Sequence, residues 1–226
     1  MAGKDVKFST RNKESYDGYV SAPPGSARAP ALLLITAIFG TDDEMRDSAD
    51  AFAKDGFLVW TPDVFWRTIP GPTGDFGKAL ARYESFNKDQ GLSDMEDLIK
   101  ALRADPQCNG KVAMLGYCFG GLYAHLGASR LGINAAGSYH GTMIGDHLAE
   151  AGKITCPVSY HYGSIDPIIP LDEAKAVQKA FAGRANADVT IHEGASHNFC
   201  MPQKDGYHAA AAAKARESVL KAFRSM

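Results

Sequence analysis

The stretch Lys111-Val-Ala-Met-Leu-Gly-Tyr-Cys-Phe-Gly-Gly121 reads as a short buried strand that turns sharply through Gly116-Tyr-Cys-Phe-Gly120 and continues as a helix. A tight strand-to-helix turn brings two backbones close together, and glycine on either side of it avoids a Cβ clash. The apex residue is Cys118. Its thiol would project at a helix N-terminus, where unpaired N–H groups and the helix dipole favour thiolate over thiol and can receive an oxyanion. The pattern is that of a nucleophile elbow carrying cysteine. The competing reading is a small buried apolar residue in an ordinary strand-turn-helix unit.

Outward from the elbow, aliphatic runs without polar alternation recur at residues 31–36, 57–61, 112–116, 135–139, 158–162 and 189–192. Such runs are what strands covered on both faces require. The segments between them carry a 3.6-residue apolar period, as in Met45, Ala49, Phe52 and Ala53, or Met95, Leu98, Ile99 and Leu102. These are amphipathic crossover helices, and residues 171–181 and 207–223 complete the alternation. The order predicts an α/β fold with a doubly wound, mostly parallel sheet in a single domain over 1–226. Residues 6–9 and 16–21 add an antiparallel N-terminal hairpin, followed by the loop Ala22-Pro-Pro-Gly-Ser. The Pro- and Gly-rich connection 63–77 is read equally as a lid or as a surface excursion.

A thiol nucleophile needs a base within hydrogen-bond reach and a group that orients the base. Asp166 follows the run 158–162, and His197, in Glu193-Gly-Ala-Ser-His-Asn-Phe199, follows the run 189–192. Loops beyond the carboxyl ends of parallel strands converge, so residues distant in sequence can meet there. The order Cys118, Asp166, His197 is that of a nucleophile–acid–histidine triad on an open α/β sheet. Asp166 could instead serve an Asx-turn before Pro167, and His197 a turn. His140, in Ser138-Tyr-His-Gly141, also ends a strand and is a candidate pocket residue. His125, His147, His161, His192 and His208 read as ordinary helix, loop or strand positions.

Composition narrows the remaining classes. With 45% hydrophobic and 22% charged residues the chain is ordinary globular material, and a formal net charge of -2 without a basic run argues against nucleic acid. The N-terminus lacks a signal-peptide core and no segment approaches a membrane span, so a cytoplasmic protein is expected. The four cysteines, Cys108, Cys118, Cys156 and Cys200, lie far apart without the paired spacings of zinc or redox motifs, and reduced thiols are expected. No dinucleotide or phosphate-loop glycine pattern is present, so no organic cofactor is expected, and the cysteine spacings give no reason to expect a metal. Lys4, Asp5 and Lys7 blunt the hairpin edge, which fits a monomer or weak homo-oligomer.

Taken together, Ile38-Phe-Gly40, Thr61-Pro-Asp63 with Arg67 and Pro70-Gly71, Gly110-Lys-Val112, Gly116-Tyr-Cys-Phe-Gly-Gly121 and the loops of Asp166 and His197 resemble the dienelactone hydrolase family. That family is a branch of the α/β-hydrolase fold with cysteine in the elbow. The resemblance implies a Cys118–His197–Asp166 triad acting on an ester or lactone carbonyl through an acyl-enzyme. It places the oxyanion on the backbone N–H groups of Phe119 and Ile38.

The chain departs from the family at the substrate side. The family's strand-end glutamate, which contacts the resting thiol, is replaced by Ala37, leaving the direct Cys118–His197 pair to activate the nucleophile. The family's carboxylate-binding arginines fall at Met201 and near Phe76; Arg82 is the nearest alternative and reads most simply as part of a solvated helix face. Ala37, Phe199 and Met201 would then make an uncharged substrate pocket, with His140 beside it. The expected function is hydrolysis of small esters or lactones. The alternatives are a ligand-binding or thiol-sensing protein on the same scaffold, and acyl transfer.

Overall fold

The computed structural model describes residues 3–25 and 28–226, so Ser26 at the end of the predicted hairpin loop lies outside the described residues. The chain forms two compact units, Met1–Ala113 and Met114–Met226.

In the first unit, β1 (Lys4–Ser9) and β2 (Ser15–Ser21) form the predicted antiparallel hairpin, with Lys4 opposite Val20 and Ser9 opposite Ser15. Lys4, Asp5 and Lys7 on β1 are all exposed. Then follow β3 (Ala29–Ile35), α1 (Asp43–Lys54), β4 (Leu58–Pro62), α2 (Phe76–Glu84) and α3 (Lys88–Ala104), with strand order β1-β2-β4-β3. β2 meets β4 antiparallel, whereas β3 and β4 run parallel, joined by the crossover through α1. Residues 31–35 of β3 have no exposed surface at all, which is why that run is aliphatic throughout. α1 starts where Asp42 accepts the Met45 N–H at 3.1 Å, and it buries Met45, Ala49, Phe52 and Ala53. The same logic, with Asn87 as cap, buries Met95, Leu98, Ile99 and Leu102 of α3.

β5 (Cys108–Tyr117) begins in the first unit and ends in the second. The second unit continues with α4 (Phe119–Arg130), β6 (Ala135–Tyr139), a 3-10 helix over Gly145–Lys153, β7 (Val158–Gly163), α5 (Leu171–Ala180), β8 (Ala187–His192) and α6 (Ala209–Arg224). Its strands run in the order β5-β6-β7-β8, with β6, β7 and β8 parallel. α4 is buried on nearly every face, as its lack of a polar stripe demands. The alanine-rich α6 buries Ala211, Ala215, Val219 and Phe223.

Strand ends match the sequence reading at β6 and differ elsewhere by up to four residues, most at β5, where Asn109 to Lys111 are too polar to join an aliphatic run. The 3-10 helix escaped prediction because a short polar segment such as Gly145–Lys153 carries little periodicity.

One expectation is overturned. Arg82 does not sit on a solvated helix face; it has no exposed surface. Its Nε donates to the Ile38 carbonyl at 2.7 Å, and Nη1 donates to the carbonyls of Gly71 at 2.6 Å and Ile69 at 3.2 Å. The guanidinium also lies over the Phe65 ring at 4.5 Å. Asp63 accepts N–H bonds from Phe65 and Gly71, and Thr73 N–H donates to the Phe39 carbonyl. The connection 63–77 is therefore pinned at several points.

Candidate active site

The elbow is built by backbone geometry. Cys118 sits between β5 and α4 at φ 51° and ψ -117°, a conformation that costs an L-residue roughly 1–3 kcal/mol and persists only where its surroundings enforce it. Those surroundings are visible. The Cys118 N–H donates to the Tyr139 carbonyl at 3.0 Å, and its own carbonyl accepts from Gly121 at 2.9 Å and Thr142 at 3.2 Å. A Cβ on Gly116 would lie 1.9 Å from the Gly120 oxygen, and one on Gly121 would lie 2.4 Å from both Gly141 Cα and Ser138 Oγ. The two glycines are thus required by close approach, as the sequence pattern predicts. Phe119 opens α4, where helix N–H groups point out of the helix toward whatever lies at the apex.

Asp166 and His197 come from the loops after β7 and β8. Those loops are tied together: Ser164 N–H donates to the His192 carbonyl at 2.9 Å, Ile165 N–H to the Ala195 carbonyl at 3.1 Å, and Gly194 N–H to Ser164 Oγ at 2.9 Å. Gly163 permits the approach, because a Cβ there would stand 2.2 Å from the Ala195 oxygen. Asp166 Oδ1 accepts from Ile168 and Ile169 N–H, which is the predicted Asx-turn. Its Oδ2 accepts from His197 Nδ1 at 2.8 Å. Asp166 thus makes the Asx-turn with one oxygen and the His197 hydrogen bond with the other.

With Nδ1–H given to a carboxylate, Nε2 is the His197 nitrogen left to exchange a proton with Cys118. Burial by itself lowers the pKa of this ring, but the Asp166 hydrogen bond and the neighbouring Cys118 outweigh it and push the pKa up to about 9. The His197 side chain is only 6% exposed and that of Asp166 not at all, so the pair is shielded from water.

His140 joins the same cluster. It is fully buried at φ 40°, with its backbone N–H donating to the His161 carbonyl at 2.8 Å. Its ring centroid is 4.4 Å from that of His197 and 6.0 Å from that of Phe199. Burial, then the proximity of His197, holds its pKa well below the ordinary value, so it is neutral. Neither of its ring nitrogens has a hydrogen-bond partner among the described residues. One donor atom each of Cys118, His140 and His197 lies within 4.8 Å of the other two.

Phe199 is fully buried and Met201 nearly so; Phe199 packs on Tyr139, His140 and His192. Ala37 and Ile38 belong to the first unit, at the turn after β3, where the Gly40 N–H donates to the Ala37 carbonyl and Arg82 holds the Ile38 carbonyl. Phe76 is 64% exposed at the start of α2. Sequence reasoning named Arg82 but placed it on a solvated face, since the only signal for its burial was a helix with an apolar stripe. It also missed the Cys118–His140–His197 triangle, whose members share no local spacing.

Known proteins agree with this architecture. The family model of the dienelactone hydrolase family matches residues 16–226. A carboxymethylenebutenolidase of Pseudomonas putida is 29% identical over 214 residues, covering 90% of this chain and 91% of its own. Among solved structures, a Klebsiella pneumoniae protein provisionally called a dienelactone hydrolase superposes with a TM-score of 0.87 at 22% identity, covering 100% of both chains. A dienelactone hydrolase-like promiscuous phosphotriesterase from metagenomic libraries superposes at 0.80, with 22% identity and coverage of 100% and 99%. These likenesses show the α/β-hydrolase fold with its antiparallel N-terminal hairpin.

Proposed function

The chain belongs to the dienelactone hydrolase family, and from that premise we propose that it hydrolyses small carboxylic esters or lactones through Cys118, His197 and Asp166. The observation that carries the reading is the 2.8 Å His197–Asp166 bond beside a cysteine held at a strained elbow.

In this mechanism the Cys118 sulfur attacks the substrate carbonyl while His197 holds the thiol proton. The tetrahedral oxyanion is received by the Phe119 N–H at the α4 N-terminus, a donor of a kind worth roughly 3–4 kcal/mol in the transition state. His197 then hands its proton to the leaving alkoxide, and a thioester on Cys118 remains. Water attacks the thioester, His197 Nε2 takes its proton, and the thiol is released as the leaving group. Asp166 keeps the imidazole in the productive tautomer throughout. The resemblance assigns a further oxyanion donor to the Ile38 N–H. Because Ala37 carries no carboxylate, thiol activation falls to His197 directly.

The substrate is a small molecule whose acyl part carries no obligatory negative charge, since Met201 and Phe76 replace the family's anion-binding arginines and Phe199 and Met201 are apolar. No described helix is long and apolar enough to cross a membrane. We place the protein in the cytoplasm as a monomer or weak homo-oligomer, without nucleic-acid or membrane partners. The test is the initial rate on p-nitrophenyl acetate for the native chain and for Cys118→Ala, both checked by circular dichroism. Turnover lost with the thiol supports the proposal, and equal rates in the two proteins refute it. A thiol-sensing role would instead show reversible Cys118 oxidation with no ester turnover in either.

A further inference from the structure

We propose that Cys118, His140 and His197 form a binding site for a borderline-soft divalent cation, with Zn²⁺ as its natural occupant, and that loading it switches the thiol off. Three observations converge on this site. The first is the donor set: one thiol sulfur and two imidazole nitrogens, each offering an atom within 4.8 Å of the others. Thiolate and imidazole are the ligands zinc prefers, with Zn–S about 2.3 Å and Zn–N about 2.0–2.1 Å, so a ring reorientation of roughly 1 Å closes the triangle around an ion. Three protein ligands leave a fourth position for water, as in open zinc sites.

The second observation is that the His140 imidazole is unspent. His140 is buried without any exposed surface, yet neither ring nitrogen has a hydrogen-bond partner among the described residues. Buried polar atoms normally find partners, and an unsatisfied imidazole that brings one nitrogen within 4.8 Å of the thiol calls for an occupant. The third is the support behind the ring. His197 gives Nδ1–H to Asp166 at 2.8 Å, the carboxylate–histidine arrangement that fixes the tautomer and raises the basicity of a metal-ligating Nε2. The hydrolytic mechanism uses Asp166 and His197 for their own purpose, but it has no use for two vacant nitrogens on His140.

Binding is a ligand exchange: water molecules leave the hydrated ion, one proton leaves the Cys118–His197 pair for solvent, and no electron is transferred. Nucleophile and base are then both coordinated. The proposal stands independently of ester hydrolysis, because binding is read without substrate.

Reduced, chelator-stripped protein is titrated with Co²⁺, and with Zn²⁺ against a chromophoric chelator. Expected are one ion per chain, a thiolate-to-cobalt charge-transfer band, and protection of Cys118 from iodoacetamide by one equivalent of Zn²⁺. Cys118→Ser abolishes the band. His140→Ala and the less disruptive His140→Asn each weaken Zn²⁺ at least tenfold, and Asp166→Asn weakens it by about 10- to 100-fold. Cys156→Ser leaves the band in place. A cobalt spectrum without thiolate charge transfer, or Zn²⁺ affinity within twofold of native in a folded His140 variant, overturns the proposal.

Discussion

Replacing Arg82 by methionine tests whether the buried guanidinium is a structural hub or an incidental neighbour. The side chain has no exposed surface and donates to three backbone carbonyls, those of Ile38, Ile69 and Gly71. Each carbonyl stranded without a donor costs about 1–3 kcal/mol. Methionine fills most of the volume, keeps contact with the Phe65 ring and no longer requires a charge to be desolvated, which recovers several kcal/mol. The net expectation is a loss of about 3 kcal/mol, or a Tm lower by about 6–12 °C for a chain of this size. Lysine keeps the charge but lacks the fork, so Arg82→Lys should lose about half as much. Urea unfolding followed by far-UV circular dichroism reads both variants. An Arg82→Met midpoint within about 0.5 kcal/mol of the native protein would refute the reasoning, since the three hydrogen bonds would then contribute no more than burial of the charge costs.

Asp166→Asn should lower kcat on p-nitrophenyl acetate by about 10³–10⁴-fold, because His197 loses the acceptor that sets its tautomer; a loss below tenfold contradicts that role. Gly163→Ala, whose Cβ would press on the Ala195 oxygen at 2.2 Å, should separate the Asp166 and His197 loops and cut activity in soluble protein, as initial rates will show. Stability should peak near neutral pH. The folded pKa of His197, about 9, stands above its unfolded value, so its stabilisation is complete below about pH 6.5 and is lost as pH rises through 9. At the acid end, burial holds His125 down to about 4 and also depresses His140, His161 and His192, so the unfolded chain takes up protons first and native stability falls toward pH 5, with about 2 kcal/mol of the loss from His125. Urea midpoints across pH 5–9 check both limbs, and His125→Phe should flatten the acid limb; a native midpoint unchanged between pH 7 and 5 would contradict this.

What could be read along the chain was whatever depends on neighbours in sequence. Alternation of aliphatic runs with 3.6-period segments specifies strands and helices because burial of each face is a local demand, and it did so for β3, α1 and α3. Gly116 and Gly121 announced the elbow because a strand-to-helix turn has only a few residues in which to reverse. The candidate roles of Cys118, Asp166 and His197 followed from their order and from their places after strands. Exact ends were less legible, since end residues such as Cys108 to Lys111 are held by the ladder and not by an apolar face.

The sequence by itself thus determined the strand order along the chain, the family and the three residues on which the chemistry is staked. Only the tertiary structure decided which nitrogen of His197 Asp166 engages, that His140 stands against His197 with its nitrogens unspent, and that Arg82 points inward to three carbonyls. The physical reason is distance along the chain. His140 is separated from Cys118 by 22 positions and from His197 by 57, and Arg82 from Ile38 by 44, so parallel strand pairing and loop closure bring them together where no local pattern can. A lone arginine on an amphipathic helix looks solvated until the carbonyls it satisfies are seen.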